Sequence, residues 1–558
     1  MPSVPRPFSS SYFAGEEIAR RFIALDFRSA ADRMARTRAA AERHVPAALL
    51  TVLRDQQAAL PPSRARAHNL EALAAGGTAV VATGQQVGLF LGPLYGFYKA
   101  ASAIAVARAL ETESGVRCVP LFWLQTEDHD FAEIASATVA GRGGEPVTLS
   151  LPVETATEAR VSLAHRLLPS EVGALLDTLA ELLGTGPAAQ ETLALLRAHY
   201  VLGRPIAQAF AGVLAELFAE EGLLIFNPRE ARVAALAAPI YREALGACTS
   251  IGQRLEEQGA ALAAADFEQQ IPLRPDCALV FGHLGAANGP RYRLERKIET
   301  AGTSGPSGTS GSWQLAGGDG AFSNQEIADA LAHDPLRFST SALLRPMVQD
   351  TLLPTAAYVG GPAEVSYFAQ MGPLYEHFRL AMPLIVPRGR FRCLDPHTRR
   401  RLAELALGAD DIARPQAELV ARLPNTASRE FPPAADLTAR VASEIAPVVA
   451  QLAAAAAALD PKDRNLGRAA ERTRAQVARA LARLTGRYAR KLAEREGVAL
   501  GRLARVQNAL APGGVPQERA YAWPSLAGRL GPAALKALVF ERLAAVGPFT
   551  TALQDLEP

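Results

Sequence analysis

Several absences narrow what this 558-residue sequence can do. It has only four cysteines, Cys118, Cys248, Cys277 and Cys393, with no CxxC pair and no zinc-type spacing, which argues against a disulfide framework or a bound metal. They read as small buried residues of a reduced compartment. Cys118 stands apart because it opens the strand that leads to Glu127, so a nucleophilic role stays open there. No apolar run approaches the roughly eighteen residues that span a bilayer, and the start, MPSVPRPFSSSYF, lacks the charged-then-apolar order of a signal peptide. Neither sign of charge dominates. Lys+Arg 58 against Asp+Glu 56 leaves +2, which gives no general attraction to nucleic acid or to an anionic membrane. The dinucleotide pattern GxGxxG and the phosphate-loop pattern GxxxxGK[ST] are both missing. These absences lead to the expectation of a cytoplasmic enzyme with small-molecule partners, in two to four structural units.

The most informative stretch is ATGQQVGLFLGPLYGFYK, from Ala82 to Lys99. Before it, Thr78 to Ala82 is short and apolar after Gly76-Gly77, the signature of a buried parallel strand that should end near Thr83. Gly84 and Gly88 permit a sharp turn, Gln85 and Gln86 offer uncharged amides, and Gly92-Pro93 should open a helix reaching about Thr112. The free N–H groups of that helix suit an anion, and Lys99, about two turns in, adds a cation. A tight loop shaped by glycine and proline would look the same. A second strand, Val119 to Leu124, includes Trp123 and empties into Gln125-Thr126-Glu127-Asp128-His129-Asp130. The spacing is that of one right-handed crossover, which puts both loops at the same carboxyl edge of a sheet.

These two stretches, with LLRPMVQDTLLPTAAYVGGPAEVSYFAQ (343–370), MPLIVPR (382–388) and RVQNALAPGGVPQER (505–519), resemble the bacillithiol biosynthesis cysteine-adding enzyme family. The matches are collinear and span nearly the whole chain. The resemblance implies an α/β fold: a Rossmann-like parallel-sheet core with two inserted connecting regions and a C-terminal antiparallel α-helical coiled coil. It also implies a cysteine ligase acting on the amine of glucosaminyl-malate through an activated cysteinyl carboxylate. That reaction class admits ATP, with any magnesium accompanying it, although the HIGH-type and KMSKS-type motifs of related synthetases are absent. One departure is Tyr98, where family members commonly carry histidine before the lysine equivalent to Lys99.

The expected layout places core segments at 1–140, 203–250 and 342–430, insertions at 141–202 and 251–341, a coiled-coil hairpin at 431–512 and a C-terminal segment at 513–558. The second insertion carries strand candidates at Cys277–Phe281 and Tyr292–Leu294, and a Gly/Ser-rich loop at Ala301–Ser312. The hairpin shows apolar residues at steps of four and three on both sides of Asp460-Pro461, and it is the expected homodimer interface. Its outer Arg and Lys are more simply a solvated face than a nucleic-acid site.

Joining a carboxylate to an amine is uphill in water, so a site needs anion donors, an amino-acid recognition group and a base. Gly84, Gln85, Gln86, Gly92 and Lys99 are the candidates for holding phosphate or carboxylate, with Tyr95 and Trp123 among the substrate-binding residues. Three acids, Glu127, Asp128 and Asp130, surround His129 and should favour its imidazolium. His129 is then the candidate base and Asp128 or Asp130 its orienter, unless the acids only cap the next helix. Arg345, Gln349 and Asp350 lie at helical spacing and Arg388 stands separately. As clamps for the malate carboxylates they make chemical sense, and as buried salt bridges they would look identical. Gly361 and Glu364 sit at another strand-to-helix edge. Two other functions fit the same residues: a non-catalytic dimeric coiled-coil scaffold, or an adenylating enzyme for another amine acceptor.

Overall fold

The computed structural model describes residues 5–153, 160–273, 277–283, 285–297, 312–316, 321–423, 432–459, 464–496 and 498–558. Its centre is a five-stranded parallel sheet made of β1 (Thr78–Gln85), β2 (Arg117–Leu124), β3 (Leu224–Phe226), β4 (Thr355–Gly360) and β5 (Leu384–Pro387). The spatial order is β3-β2-β1-β4-β5. The chain therefore winds outward from β1 in one direction and then crosses back to wind in the other, and the crevice between the carboxyl ends of β1 and β4 is the switch point where such sheets bind ligands. β1 and β2 pair in register from Thr78 with Arg117 to Gln85 with Leu124, which brings the two sequence motifs side by side.

The strands form because both faces of the sheet are covered. Leu121 and Trp123 enter one hydrophobic layer while Phe122 and Leu124 enter the other, the alternation expected of a strand buried on both sides. The crossover helix Leu94–Ser114 ends at Gly115, whose φ of +72° gives the left-handed turn back into β2.

Between β1 and this helix the loop is a packed structure. Val87, Leu89, Phe90 and Leu91 are all within 2 % of full burial. Phe90 and Leu91 adopt φ of +51° and +70°, a conformation that side chains resist and that packing must hold. Tyr200, from the first insertion, holds it: its hydroxyl accepts from the Leu91 N–H at 3.1 Å and donates to the Gly88 carbonyl at 3.3 Å.

The first excursion carries the hairpin Ser136–Ala140 and Pro146–Ser150, then helices Glu171–Leu183 and Pro187–His199. In the second, Cys277–His283 and Arg291–Lys297 are strands, joined by Ser312–Leu315, Ala321–Ser323 and Phe338–Thr340 in one five-stranded antiparallel sheet. The last three are four residues or fewer, too short for an alternating pattern to declare itself. Residues 301–311 of the Gly/Ser-rich loop and the Asp460-Pro461 break lie outside the described residues. Helices Ala434–Leu459 and Arg464–Glu496 pack together as the coiled coil, followed by Val498–Leu510. The chain then returns to the core, where Leu553–Leu556 pairs in parallel with Arg390–Cys393.

Candidate active site

Three adjoining compartments follow the carboxyl edge of the sheet. The first, about 230 Å³, occupies the switch point and is lined by Gln85, Tyr95, Lys99, Arg345, Gly361, Glu364, Arg388 and Arg519 among others. The second, about 370 Å³, lies beyond β2 under the antiparallel sheet, with Trp123, Glu127, Asp128, His129, Arg291 and Arg345 in its wall. Gln125, Ala342 and Arg345 belong to both. A third, about 230 Å³, continues past Gln85, Gln86 and Tyr95 and shares Arg519 with the first.

At the switch point, Lys99 is only 3 % exposed and its ammonium meets three acceptors: the Gly84 carbonyl at 2.8 Å, Gln85 Oε1 at 2.9 Å and Glu364 Oε2 at 2.5 Å. An ammonium has three N–H bonds, so none remains for an anion, and the expected free cation is internally neutralised. Burial draws the Lys99 amine below its usual range, while Glu364 partly restores it. Burial also pushes the Glu364 carboxyl up, but Lys99, the Tyr358 hydroxyl at 2.5 Å and the Gly361 N–H at 2.8 Å outweigh it and hold the group below the usual carboxylate range.

Arg388 resolves one open alternative. Its guanidinium makes a two-pronged pair with Glu518, 2.7 Å on each prong, and the two side chains are 3 % and 4 % exposed. It is a buried salt bridge to the C-terminal segment. Arg345 differs. It is 5 % exposed, donates from Nη1 to Gln349 Oε1 at 2.8 Å, lies over the Tyr358 ring at 4.9 Å, and its buried Nη2 has no hydrogen-bond partner. No carboxylate among the described residues pairs with it. Gln349 and Asp350 stand behind it, at 0 % and 1 % exposure, and line none of the compartments. Gln349 Nε2 and the Tyr375 hydroxyl both donate to Asp350, at 2.9 and 2.6 Å. They brace Arg345, which corrects the expectation that they clamp substrate.

In the acidic loop the residues divide their tasks. Gln86 donates to Asp128 at 2.7 Å and to Glu133 at 2.8 Å. Its amide hydrogens therefore tie the two motifs together, which corrects its assignment as an anion donor. Asp130 caps helix Phe131–Ile134 by accepting from the Glu133 N–H, as the simpler reading of this acid required, and it lines no compartment. Glu127 accepts from the Thr340 hydroxyl and faces the Tyr241 hydroxyl at 3.5 Å.

His129 departs furthest from expectation. Arg291, from the antiparallel sheet, donates to His129 Nδ1 at 3.0 Å and lies 3.6 Å from Asp128. Since a guanidinium only donates, Nδ1 is the acceptor and the proton of the neutral ring sits on Nε2. Burial and Arg291 push the imidazole below its usual range, against the pull of Asp128 and Asp130. The acids still favour the imidazolium but are outweighed, and the group that orients the ring is Arg291. Burial raises the Asp128 carboxyl, but Arg291, Gln86 and the His129 N–H carry it below the usual range.

Gly84 and Gly92 also line no compartment. Gly84 lies so close to β2 that a Cβ there would come within 3.0 Å of the Trp123 carbonyl. The Gly92 carbonyl accepts from the Trp523 N–H at 3.1 Å, and the Leu94 N–H donates to the Tyr521 carbonyl at 2.9 Å. The C-terminal segment thus covers the helix start that seemed open to an anion. Tyr98 packs on Phe391, with ring centroids 4.9 Å apart, lines no compartment, and its buried hydroxyl has no partner among the described residues.

Sequence reasoning missed Arg291 and Arg519. Arg519 lines two compartments beside Tyr95, its guanidinium carbon 5.9 Å from that ring, and has no carboxylate partner among the described residues. Both residues come from segments distant in the chain. RVQNALAPGGVPQER, which ends on Arg519, was the available signal for one of them.

An open parallel sheet with a polar cleft at its switch point, carrying a helical hairpin, makes this a Rossmann-like α/β protein with a C-terminal coiled coil. The description "Bacillithiol biosynthesis BshC, N-terminal Rossmann-like domain" matches residues 3–389, and "Bacillithiol biosynthesis BshC, C-terminal coiled-coil domain" matches 391–550. The chain belongs to the BshC family. Among similar proteins, BshC of Koribacter versatilis is 33 % identical over 473 residues, covering 85 % of this chain and 83 % of that protein. BshC of Salinibacter ruber is 31 % identical over 497 residues, covering 88 % and 86 %, and BshC of Solibacter usitatus 33 % over 476, covering 85 % and 83 %. All three carry a cysteine-ligase name. Among the described residues no helix is long and apolar enough to cross a membrane.

Proposed function

We propose that this chain is a carbon–nitrogen ligase that joins the carboxyl group of L-cysteine to the amine of glucosaminyl-malate. The observation that carries the reading is Arg345, a buried guanidinium in the wall shared by two compartments that has no carboxylate partner among the described residues. A buried charge left unpaired costs several kcal/mol, so such a group calls for an anionic ligand. With Arg519 it gives the switch-point compartment two guanidiniums that form no ion pair with a carboxylate among the described residues, which suits the two carboxylates of a malyl group.

The compartment beyond β2 suits the amino acid. Asp128 accepts hydrogen bonds from the ammonium, and Nε2–H of His129 donates to the carboxylate and then to the acyl oxygen as the bond forms. The amine of the sugar meets the acyl carbon near Gln125 and Arg345. With ATP as the proposed source of activation, the activating phosphoryl or adenylyl group leaves on a former carboxylate oxygen of cysteine as the amide C–N bond forms, and the amine proton passes to water.

The test is direct. Purified protein supplied with cysteine, glucosaminyl-malate and ATP should yield bacillithiol, and Arg345→Met should lose the product while remaining folded. Product formation undiminished in Arg345→Met rejects the site. Failure of the wild type with this acceptor, but success with another amine, favours an adenylating enzyme of different specificity. No binding of any of the three molecules favours the scaffold reading. We further propose a homodimer through the coiled coil, where Val448, Leu452 and Leu459 are 54 %, 65 % and 85 % exposed along one stripe. Leu452→Glu should convert a dimer to a monomer in sedimentation, and a wild-type monomer overturns this.

A further inference from the structure

The cleft is not the largest hollow in the molecule. A cavity of about 790 Å³ opens at the opposite edge of the sheet, where Met382-Pro383 leads into β5, and it shares no lining residue with the three compartments. Its walls come from the Phe22–Leu25 stretch, helix Ala30–Ala41, helix Cys248–Ala264 and the short helix Gly372–His377. Phe22, Ile23, Leu25 and Met382 make much of the lining apolar.

Most polar groups in the wall already have partners. The Tyr375 hydroxyl donates to Asp350 at 2.6 Å, the Gln258 amide to the Ala369 carbonyl at 2.7 Å, and Arg254 pairs with Glu376. Arg36 is the exception. It is 8 % exposed, and its Nη2 donates to the carbonyls of Thr355 and Ala381, each at 3.0 Å. Its Nε is buried without a partner, and neither Nε nor Nη1 bonds to any described residue. Among the described residues no carboxylate forms an ion pair with Arg36, on which the buried Asp350 acts only from a distance, nor with Arg21 at the rim; Glu257 in the wall is exposed.

A desolvated guanidinium facing an apolar cavity is satisfied by an anion whose remaining surface is apolar. A neutral ligand would leave Arg36 without a directly paired anion, its Nη2 held only by two carbonyls. A polyanion would meet the carboxylates of Glu257 and Glu376. We propose that this rear cavity binds a small monocarboxylate with an apolar body, the carboxylate on Arg36 and Arg21 and the body against Phe22, Ile23 and Met382.

Calorimetric titration of the full chain with octanoate tests this without substrates, so its outcome is independent of the ligase reading. Octanoate should bind saturably at one per chain, and 1-octanol, which lacks the charge, at least about tenfold more weakly. Arg36→Gln should weaken octanoate about tenfold, a loss of about 1.4 kcal/mol. Two variants guard against a folding defect at that buried site. Ala39→Trp fills the cavity from an exposed helix position, Arg21→Gln removes the rim charge, and each should weaken octanoate severalfold or more. The proposal is overturned by absence of saturable binding at millimolar octanoate, by equal binding of 1-octanol, or by octanoate affinity unchanged in Ala39→Trp.

Discussion

The switch-point compartment and the compartment under the antiparallel sheet share a wall at Gln125, Ala342 and Arg345 yet are built in opposite ways. At the switch point the buried acids are matched internally, Glu364 by Lys99 and Glu518 by Arg388, and the cations left over are Arg345 and Arg519. Under the antiparallel sheet the half-exposed groups include a carboxylate, Asp128, and an imidazole whose proton is directed by Arg291. In the proposed reading, one compartment receives negative charge and the other the amino acid. Where charge is paired within the protein it positions the walls, and where it is unpaired or half exposed it is available to a ligand.

The largest expected effect breaks the switch-point pairing. Lys99→Met leaves Glu364 buried without its cation and should destabilise the fold by about 3–5 kcal/mol in denaturant unfolding. Lys99→Met with Glu364→Gln should recover a good part of that, because both charges are then gone. The shared wall comes next. Arg345→Met should lower ligase turnover by about 10²-fold, from loss of charge-assisted hydrogen bonds worth roughly 1.5–3 kcal/mol, with Arg345→Lys retaining part of the activity.

A third prediction sharpens the contrast through the antiparallel sheet. His283 contacts the Gly289 carbonyl at 3.0 Å and Ser339 Oγ at 3.2 Å, and Arg291 donates to the same hydroxyl at 3.0 Å. Burial, with Arg229 nearby, pushes His283 down to about 2. The unfolded value is about 6.5, so the contribution is absent above that pH. As pH falls below it the unfolded chain takes up a proton that the native state refuses, and stability declines. At pH 4.5 the loss should be roughly 2–3 kcal/mol. Unfolding curves of wild type and His283→Asn at pH 7 and pH 4.5 should therefore converge in acid.

Smaller effects follow in the acidic loop. Removing the neighbouring guanidinium in Arg291→Gln should raise the titration midpoint of His129 in NMR, and an unmoved midpoint would mean that Arg291 does not set its proton. Asp130→Ala should cost about 1 kcal/mol as a lost cap and leave turnover nearly unchanged.

Much of this architecture was legible in the sequence because buried parallel strands announce themselves locally. TAVVA and VPLFWL are continuous apolar runs, and the spacing between them fixed one crossover and hence the adjacency of the two loops. The coiled coil was readable from periodicity for the same reason. What could not be read is the identity of each charge's partner. Arg388 and Arg345 look alike in sequence, and only the return of the C-terminal segment with Glu518 separates a salt bridge from an unpaired cation. The surroundings of His129 were misjudged because its nearest sequence neighbours are acids, whereas Arg291 arrives from 162 residues away. Gly92 and Gln86 misled for a related reason, since a tightly packed loop and a binding loop use the same residue types.

The central claim is that the switch-point compartment receives a dicarboxylate on Arg345 and Arg519. A crystal structure of the protein with glucosaminyl-malate measures this directly. The account predicts one malyl carboxylate within hydrogen-bond distance of Arg345 and the other facing Arg519, with the sugar amine directed toward Gln125. A malyl group bound beyond β2 against Arg291, with Arg345 and Arg519 untouched, would contradict it.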